Sequence, residues 1–193
     1  VRTNTDFKIY DGTKLECLEF ELVTPEKLLY GHNLELIMSS SITNVGIINN
    51  DYDEFIITDI EGNDFTNCYE LDVEYGTLTI IARQLTIITG SDSKYYDGTP
   101  LTCHEYIIAE ATPLPDGHTM QSDFAGEITE PGEETNSIAK ITVYNGKSQD
   151  CTQNFEFNKL YGDLVVYQSN FIPPVLDDNN DLNHNHNDNP AEK

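Results

Sequence analysis

Along much of the chain apolar and polar residues alternate one for one. Tyr69, Leu71, Val73 and Tyr75 are separated by Glu70, Asp72 and Glu74, which predicts a strand with one buried face and one acidic face. Leu18, Phe20 and Leu22 alternate with Glu19 and Glu21 in the same way. Leu34, Leu36 and Met38 form a third row, and Phe155, Phe157 and Tyr161 a fourth. Turn chemistry separates the rows, at Asp11-Gly12, Glu61-Gly62-Asn63-Asp64, Asp97-Gly98 and Asn145-Gly146. Leu78 through Ile88 reads as near-continuous strand. No window of about 11 residues carries a 3.6 period. Only Thr24-Pro25-Glu26-Lys27 suggests a helical turn, with Thr24 as cap and Pro25 at the first helical position. The pattern predicts an all-β protein built from sandwich-like modules, with a β-grasp arrangement around one short helix as the alternative.

The rows belong to a repeat. Tyr10-Asp11-Gly12-Thr13 returns as Tyr96-Asp97-Gly98-Thr99, each preceded by a Lys (Lys8, Lys94) and followed by a Leu (Leu15, Leu101) and a Cys (Cys17, Cys103). Gly31-His32 returns as Gly117-His118, Gly46 as Gly132, Asp64 and Thr66 as Asp150 and Thr152, and Tyr75-Gly76-x-Leu78 as Tyr161-Gly162-x-Leu164. All these pairs are 86 positions apart, with no gap. The chain therefore divides into residues 1–81, residues 82–167 and a tail over residues 168–193. The first copy is clipped, since nothing in it matches Arg83-Gln84-Leu85. A strand running from one copy into the next predicts a stiff joint, suited to a rod or spacer rather than a hinged cleft. Each copy, near ~85 residues, is large enough for one modest core.

Asp-Gly supplies a tight turn with a residue free to take positive φ. The tyrosine two places before that Gly can pack its ring and keep its hydroxyl at the rim. Tyr-Gly-x-Leu suggests a bulge or a close backbone approach at the Gly. Structural roles are thus expected for Tyr10, Asp11, Gly12, Tyr75 and Gly76, and for Tyr96, Asp97, Gly98, Tyr161 and Gly162.

Charge narrows the partners. The 193 residues carry 34 Asp and Glu against 10 Lys and Arg, a net charge of −24. A polyanion repels phosphate, which argues against nucleic acid and anionic lipid surfaces. The excess is spread over both copies and the tail, as on solvent faces of strands that resist edge-to-edge pairing. No apolar run approaches the ~20 residues of a membrane helix. The chain starts at Val1 rather than Met, so it reads as cut from something longer. Cys17, Cys68, Cys103 and Cys151 contain no C-x-x-C pair, which leaves disulfides or free thiols. Cys17 and Cys103 are equivalent, whereas Cys68 and Cys151 are offset by three places. Matching disulfides in both copies would then need opposite strand faces, which favours free thiols in at least one copy.

Candidate chemistry is sparse. His32 and His118 are twins after a Gly and read as turn or edge contacts. Cys103 and His104 are neighbours on an expected strand and point to opposite faces, so they make no nucleophilic dyad. Catalytic and phosphate-binding motifs are absent, and no cofactor site is expected. Lys8 and Lys94 invite the idea of a Lys–Asn or Lys–Asp cross-link, with a strand-edge lysine as the plainer reading. Ile172-Pro173-Pro174 ends the last strand, and the Asp/Asn/His stretch after it reads as a solvated linker. There Asp177 and Asp181 echo spaced calcium ligands, and His184 and His186 suit a transition metal; calcium is the alternative cofactor reading.

The blocks Lys-x-Tyr-Asp-Gly-Thr-x-Leu at 8–15 and 94–101, Gly-His at 31–32 and 117–118, Asn44-Val45-Gly46, Asp64-Phe65-Thr66 and the two Tyr-Gly-x-Leu blocks resemble the MBG/YDG-type repeats. The likeness spans nearly residues 1–167. Glu130-Pro131-Gly132 and Ser148-Gln149-Asp150 depart from the pattern. The resemblance implies tandem, non-enzymatic, all-β stalk or adhesion repeats of bacterial cell-surface proteins. It implies neighbouring repeats as partners and an extracellular location. The alternative is a module that binds host or cell-wall glycan or protein.

Overall fold

The computed structural model describes residues 1–23 and 28–169. The turn expected at Thr24–Lys27 lies outside the described residues. So do the tail candidates Asp177, Asp181, His184 and His186.

The described chain is almost entirely β. The first copy holds β1 (Arg2–Thr3), β2 (Asp6–Ile9), β3 (Phe20–Glu21), β4 (Asn33–Met38), β5 (Gly46–Asn49), β6 (Tyr52–Thr58) and β7 (Thr77–Ile81). The second holds β8 (Arg83–Thr89), β9 (Asp92–Tyr95), β10 (Tyr106–Ile108), β11 (Thr119–Phe124), β12 (Gly132–Thr135), β13 (Ile138–Tyr144), β14 (Phe155–Leu160) and β15 (Asp163–Tyr167). Among the described residues there is no α-helix, only single 3₁₀ turns at Thr66–Cys68 and Thr152–Asn154.

The sheets are small and open, and their pairings recur between copies. Each copy has two halves. The leading half has a short sheet, β1–β3 in copy one and β10–β8–β14 in copy two, and an antiparallel pair, β4–β6 or β11–β13. The register shifts at Ile37/Met38 and at Asp123/Phe124, the same place in both antiparallel pairs. The trailing half is a three-stranded sheet with a parallel and an antiparallel pair: β2–β7–β5 or β9–β15–β12.

Two expected rows are corrected. Of Tyr69–Tyr75, only Glu74 makes a ladder contact, to Arg2. In copy two the equivalent residues form β14, paired in parallel with β8 from Arg83 to Ile88. In that register only Val1 of residues 1–193 stands opposite 69–73. Of Leu18–Leu22, only Phe20–Glu21 is strand, and Leu18 is 68% exposed. Its partner β1 offers just Arg2 and Thr3. The Leu34 row forms because its partner β6 lies in the same copy; Leu34 and Leu36 are buried. In the fourth row Phe155 is buried, while Tyr161 lies beyond the end of β14 and is exposed.

Most of the buried apolar residues fall into three clusters. Leu34, Leu36 and Ile57 centre the leading half of copy one. Leu101, Cys103, Leu164 and Val166 centre the trailing half of copy two. The largest cluster lies between them and takes Tyr10, Leu15, Leu78 and Ile80 from copy one with Leu85, Val143, Cys151 and Phe155 from copy two. The trailing half of one copy and the leading half of the next thus share one core. The strand run from β7 through Ala82 into β8 carries the chain across it.

Within each copy the halves meet at a polar node. The Thr3 hydroxyl accepts from Gly76 N at 2.9 Å, and Asn50 Nδ2 donates to Asn4 O at 2.9 Å and Cys17 O at 3.1 Å. In copy two the Thr89 hydroxyl accepts from Gly162 N at 2.9 Å, and Asn136 Nδ2 donates to Gly90 O at 2.8 Å. Asn50 and Asn136 are fully buried, so these bonds satisfy backbone carbonyls that water cannot reach. Gly76 and Gly162 are the close approach expected of Tyr-Gly-x-Leu. A Cβ at Gly76 would stand 2.4 Å from Thr3 O, and one at Gly162 would stand 2.5 Å from Gly90 O.

Candidate functional site

The Tyr-Asp-Gly-Thr turns have the same local geometry in both copies. Lys8 Nζ donates to Asp11 Oδ1 (2.8 Å), Thr13 O (2.8 Å) and Thr13 Oγ1 (2.6 Å). Lys94 Nζ donates to Asp97 Oδ1 (2.8 Å), Thr99 O (2.6 Å) and Thr99 Oγ1 (2.6 Å). Thr13 N and Thr99 N also donate to their aspartates, at 2.8 and 2.9 Å. Gly12 and Gly98 take φ of 81° and 80°, which only a residue without Cβ adopts at no cost. Burial pushes the Asp11 carboxyl up, but the bonds from Lys8 and Thr13 outweigh it and hold it at about 2. The Lys94 ammonium and Thr99 hold Asp97 well below the usual carboxylate range. Each lysine is thus a clamp on its own turn.

The surroundings of the two turns differ. Tyr10 is 2% exposed and its twin Tyr96 is 37% exposed. The Tyr10 ring meets Phe155 edge-on with centroids 5.3 Å apart, and its hydroxyl lies 3.2 Å from Nε2 of His118. A Cβ on Gly12 would stand 2.6 Å from the His118 ring, whereas one on Gly98 would meet nothing within 4 Å. Burial, and next to it the Cys151 thiol, pushes the Tyr10 phenol up to about 12. The Cys151 thiol is itself raised by burial.

Polar contacts complete the joint. Asn154, fully buried, accepts from Val45 N through Oδ1 at 2.8 Å and donates from Nδ2 to Asn44 Oδ1 at 3.1 Å. Arg83 Nε donates to Pro113 O at 2.8 Å, and Arg83 also reaches Tyr10 O at 3.5 Å. Beside this contact lies an open cleft of about 610 Å³, bordered by Asp11, Asn44, Arg83, His118 and Lys147. In its lining the Thr13 hydroxyl donates to Asp11 Oδ1 at 2.7 Å, within the lysine-clamped turn. The arrangement packs one copy against the next through a buried ring, a histidine and an asparagine.

The other sequence candidates fall elsewhere. Tyr75 and Tyr161 are exposed at the rim beside their glycines. His32, the twin of His118, binds the Tyr69 hydroxyl through Nδ1 at 2.9 Å and packs on Phe65. All four cysteines are free; Cys103 and Cys151 are buried and Cys68 is exposed. Cys103 is buried and the adjacent His104 is exposed against Phe124, although this segment is not strand as expected. Among the described residues no group of three His, Cys, Asp or Glu lies together as a metal site.

Sequence reading missed Asn154 and the Thr3–Asn50 and Thr89–Asn136 pairs, and named Asn44 only within the Asn44-Val45-Gly46 block. Thr3 and Thr89, and Asn50 and Asn136, do stand on the 86-residue diagonal, which was the available signal. Asn154 is not on it, because Cys68 holds its place in copy one. No family model matches the chain, and no match is found among curated proteins.

Proposed function

We propose that the chain is a non-catalytic spacer: two tandem repeats of a bacterial surface protein that hold other parts of that protein at a distance. The shared core around Tyr10 carries this reading. Two repeats that bury a tyrosine, a histidine contact and an asparagine between them resist bending, which a spacer requires. The likeness of the Tyr-Asp-Gly-Thr and Tyr-Gly-x-Leu blocks to MBG/YDG-type repeats supports an extracellular stalk or adhesin setting. The two lysine-clamped turns have structural tasks already, which leaves the repeated motif with no need of a ligand to account for it. Small-angle scattering on the chain tests the reading. An elongated particle, unchanged by added glycan, is the expected result; a compact globule overturns it.

A second reading has one observation behind it. Tyr95 and Tyr167 are 64% and 50% exposed with ring centroids 5.7 Å apart, a pair of apolar faces of the kind sugar rings stack on. On that reading the second copy binds glycan, and calcium assists. A glycan array with and without calcium separates the two. Saturable binding lost in Y95A and Y167A favours the binding module, and no binding favours the spacer.

A further inference from the structure

The trailing sheets of the two copies share a topology and differ in charge at one edge. In β2–β7–β5 the strand β5 is an edge, and in β9–β15–β12 the same place is held by β12. Residues 36–50, which run through β5, carry no charged side chain in a chain of net charge −24. Their counterparts, residues 122–136, carry five acids: Asp123, Glu127, Glu130, Glu133 and Glu134. Glu133 and Glu134 stand where β5 has Ile47 and Ile48. Charge on an edge strand keeps a further strand from adding to it, so β12 is guarded and β5 is not.

The backbone of β5 is open on that side. Asn50 N donates to Gly76 O, and the register continues with Ile48 opposite Leu78 and Gly46 opposite Ile80. Alternate residues of an antiparallel strand turn their N–H and C=O groups to opposite sides. Ile47 and Asn49 therefore turn theirs away from β7, to a side where no strand of the described residues pairs with β5. Both residues are exposed, Ile47 by 69%. The far edges of the two sheets are capped by their own side chains. Asp6 Oδ1 accepts from Phe7 N at 2.8 Å on β2, and Asp92 Oδ1 accepts from Ser93 N at 2.7 Å on β9.

We propose that β5 is a self-association site: it pairs antiparallel with β5 of a second copy of this chain, joining two three-stranded sheets into one. Backbone geometry and charge together name this occupant. Ile47 and Asn49 are two apart, so a two-fold axis beside Ile48 sets Ile47 opposite Asn49 of the second copy, and Asn49 opposite its Ile47. The outward N–H groups of both strands then donate to outward carbonyls. Ile48, half-buried, meets Ile48 of the second copy on the other face, a β-branched cross-strand pair. The same pairing by β12 would set Glu134 against Glu134, where like charges repel. Both molecules are acidic, so an uncharged lane is where two copies can approach. A basic strand from another protein would need acids along the edge to hold it, and residues 36–50 have none.

The contact is isologous and closes on a dimer. It depends on no part of the spacer reading. It is confined to one short strand on each side, so it is weak, and repulsion between the two acidic molecules means that salt strengthens it.

Sedimentation velocity and amide NMR on the 193-residue chain, from ~10 μM to ~1 mM in low and high salt, test the proposal. The expected result is a monomer–dimer equilibrium that moves toward dimer with concentration and with salt. Amide shifts and slowed hydrogen exchange should appear together at Ile47 and Asn49. N49P removes an outward donor and leaves the bonds to β7 in place, and I47E installs the acid of the twin strand. Each should weaken dimerisation at least tenfold, with spectra that verify the fold, while T135P at the twin edge leaves dimerisation unchanged. A monomer throughout overturns the proposal. So do a mass that rises past the dimer, association that salt dissolves, a loss in T135P equal to that in N49P, and a dimer that N49P and I47E leave intact. A monomer that scatters as an elongated particle leaves the spacer reading standing, so the two fail separately.

Discussion

Tyr10 and Tyr96 share sequence context, clamp and turn geometry, yet one is a core residue and the other a surface residue. The difference lies in what stands opposite. Removing a buried aromatic side chain costs about 3–5 kcal/mol, whereas one with over a third of its surface in water, as at Tyr96, costs less. Thermal or urea unfolding of Y10A should therefore show a loss of that order, with Y96A clearly less destabilised. Ser148 makes a second case. It takes φ of 58° where copy one has Gly62 at 86°. The left-handed conformation costs a residue with a Cβ about 1–2 kcal/mol, so S148G should stabilise by about 1 kcal/mol after the chain-entropy penalty of glycine. The clamped aspartates contribute to the acid limit, alongside Asp59, Asp64 and Asp150, which are also held low by hydrogen bonds. Their folded-state values lie below the unfolded carboxylate value of about 3.9, so their contribution is complete above pH ~4 and is lost as pH falls toward ~2. A melting-temperature profile should decline across that window, and less steeply in D11N/D97N. At the other extreme the raised Tyr10 phenol favours folding below pH ~10 and loses that contribution as pH rises toward ~12.

At the scale of the elements, the recurring close approach at Tyr-Gly-x-Leu matters most. A Cβ at Gly76 or Gly162 would fall within 2.5 Å of a backbone oxygen, so backbone must move to admit it. G76A and G162A should each destabilise by about 1–3 kcal/mol, measured by urea unfolding. The turns and this approach were legible in the sequence because they depend on a few neighbouring residues and occur twice. The Leu34 row was legible because its partner lies in the same copy. The row from Tyr69 to Tyr75 has a strand's alternation and no ladder beyond Glu74, because a strand also needs a partner that its own residues do not encode. Strand β2 inverts the usual rule: Phe7 and Ile9 face solvent, while Lys8 turns inward to clamp the loop. The joint itself was illegible. Two identical tyrosines cannot reveal which one meets a neighbour, and Asn154, which anchors the contact, has no identical twin.

At the scale of the whole molecule, the sequence repeat and the packing unit are out of phase. The boundary between residues 81 and 82 runs through the largest buried cluster, so the copies are not beads on a string. Each copy instead has two small cores with a polar node between them, and the core at the joint belongs to both. On the spacer reading, stiffness comes from packing across the boundary as well as from the short connection at Ala82. The most direct measurement is a set of backbone residual dipolar couplings in a weakly aligned sample. The account predicts that one alignment tensor fits residues 1–81 and 82–167 together in the parent protein, and that Y10A needs two. Two distinct tensors in the parent protein would contradict it.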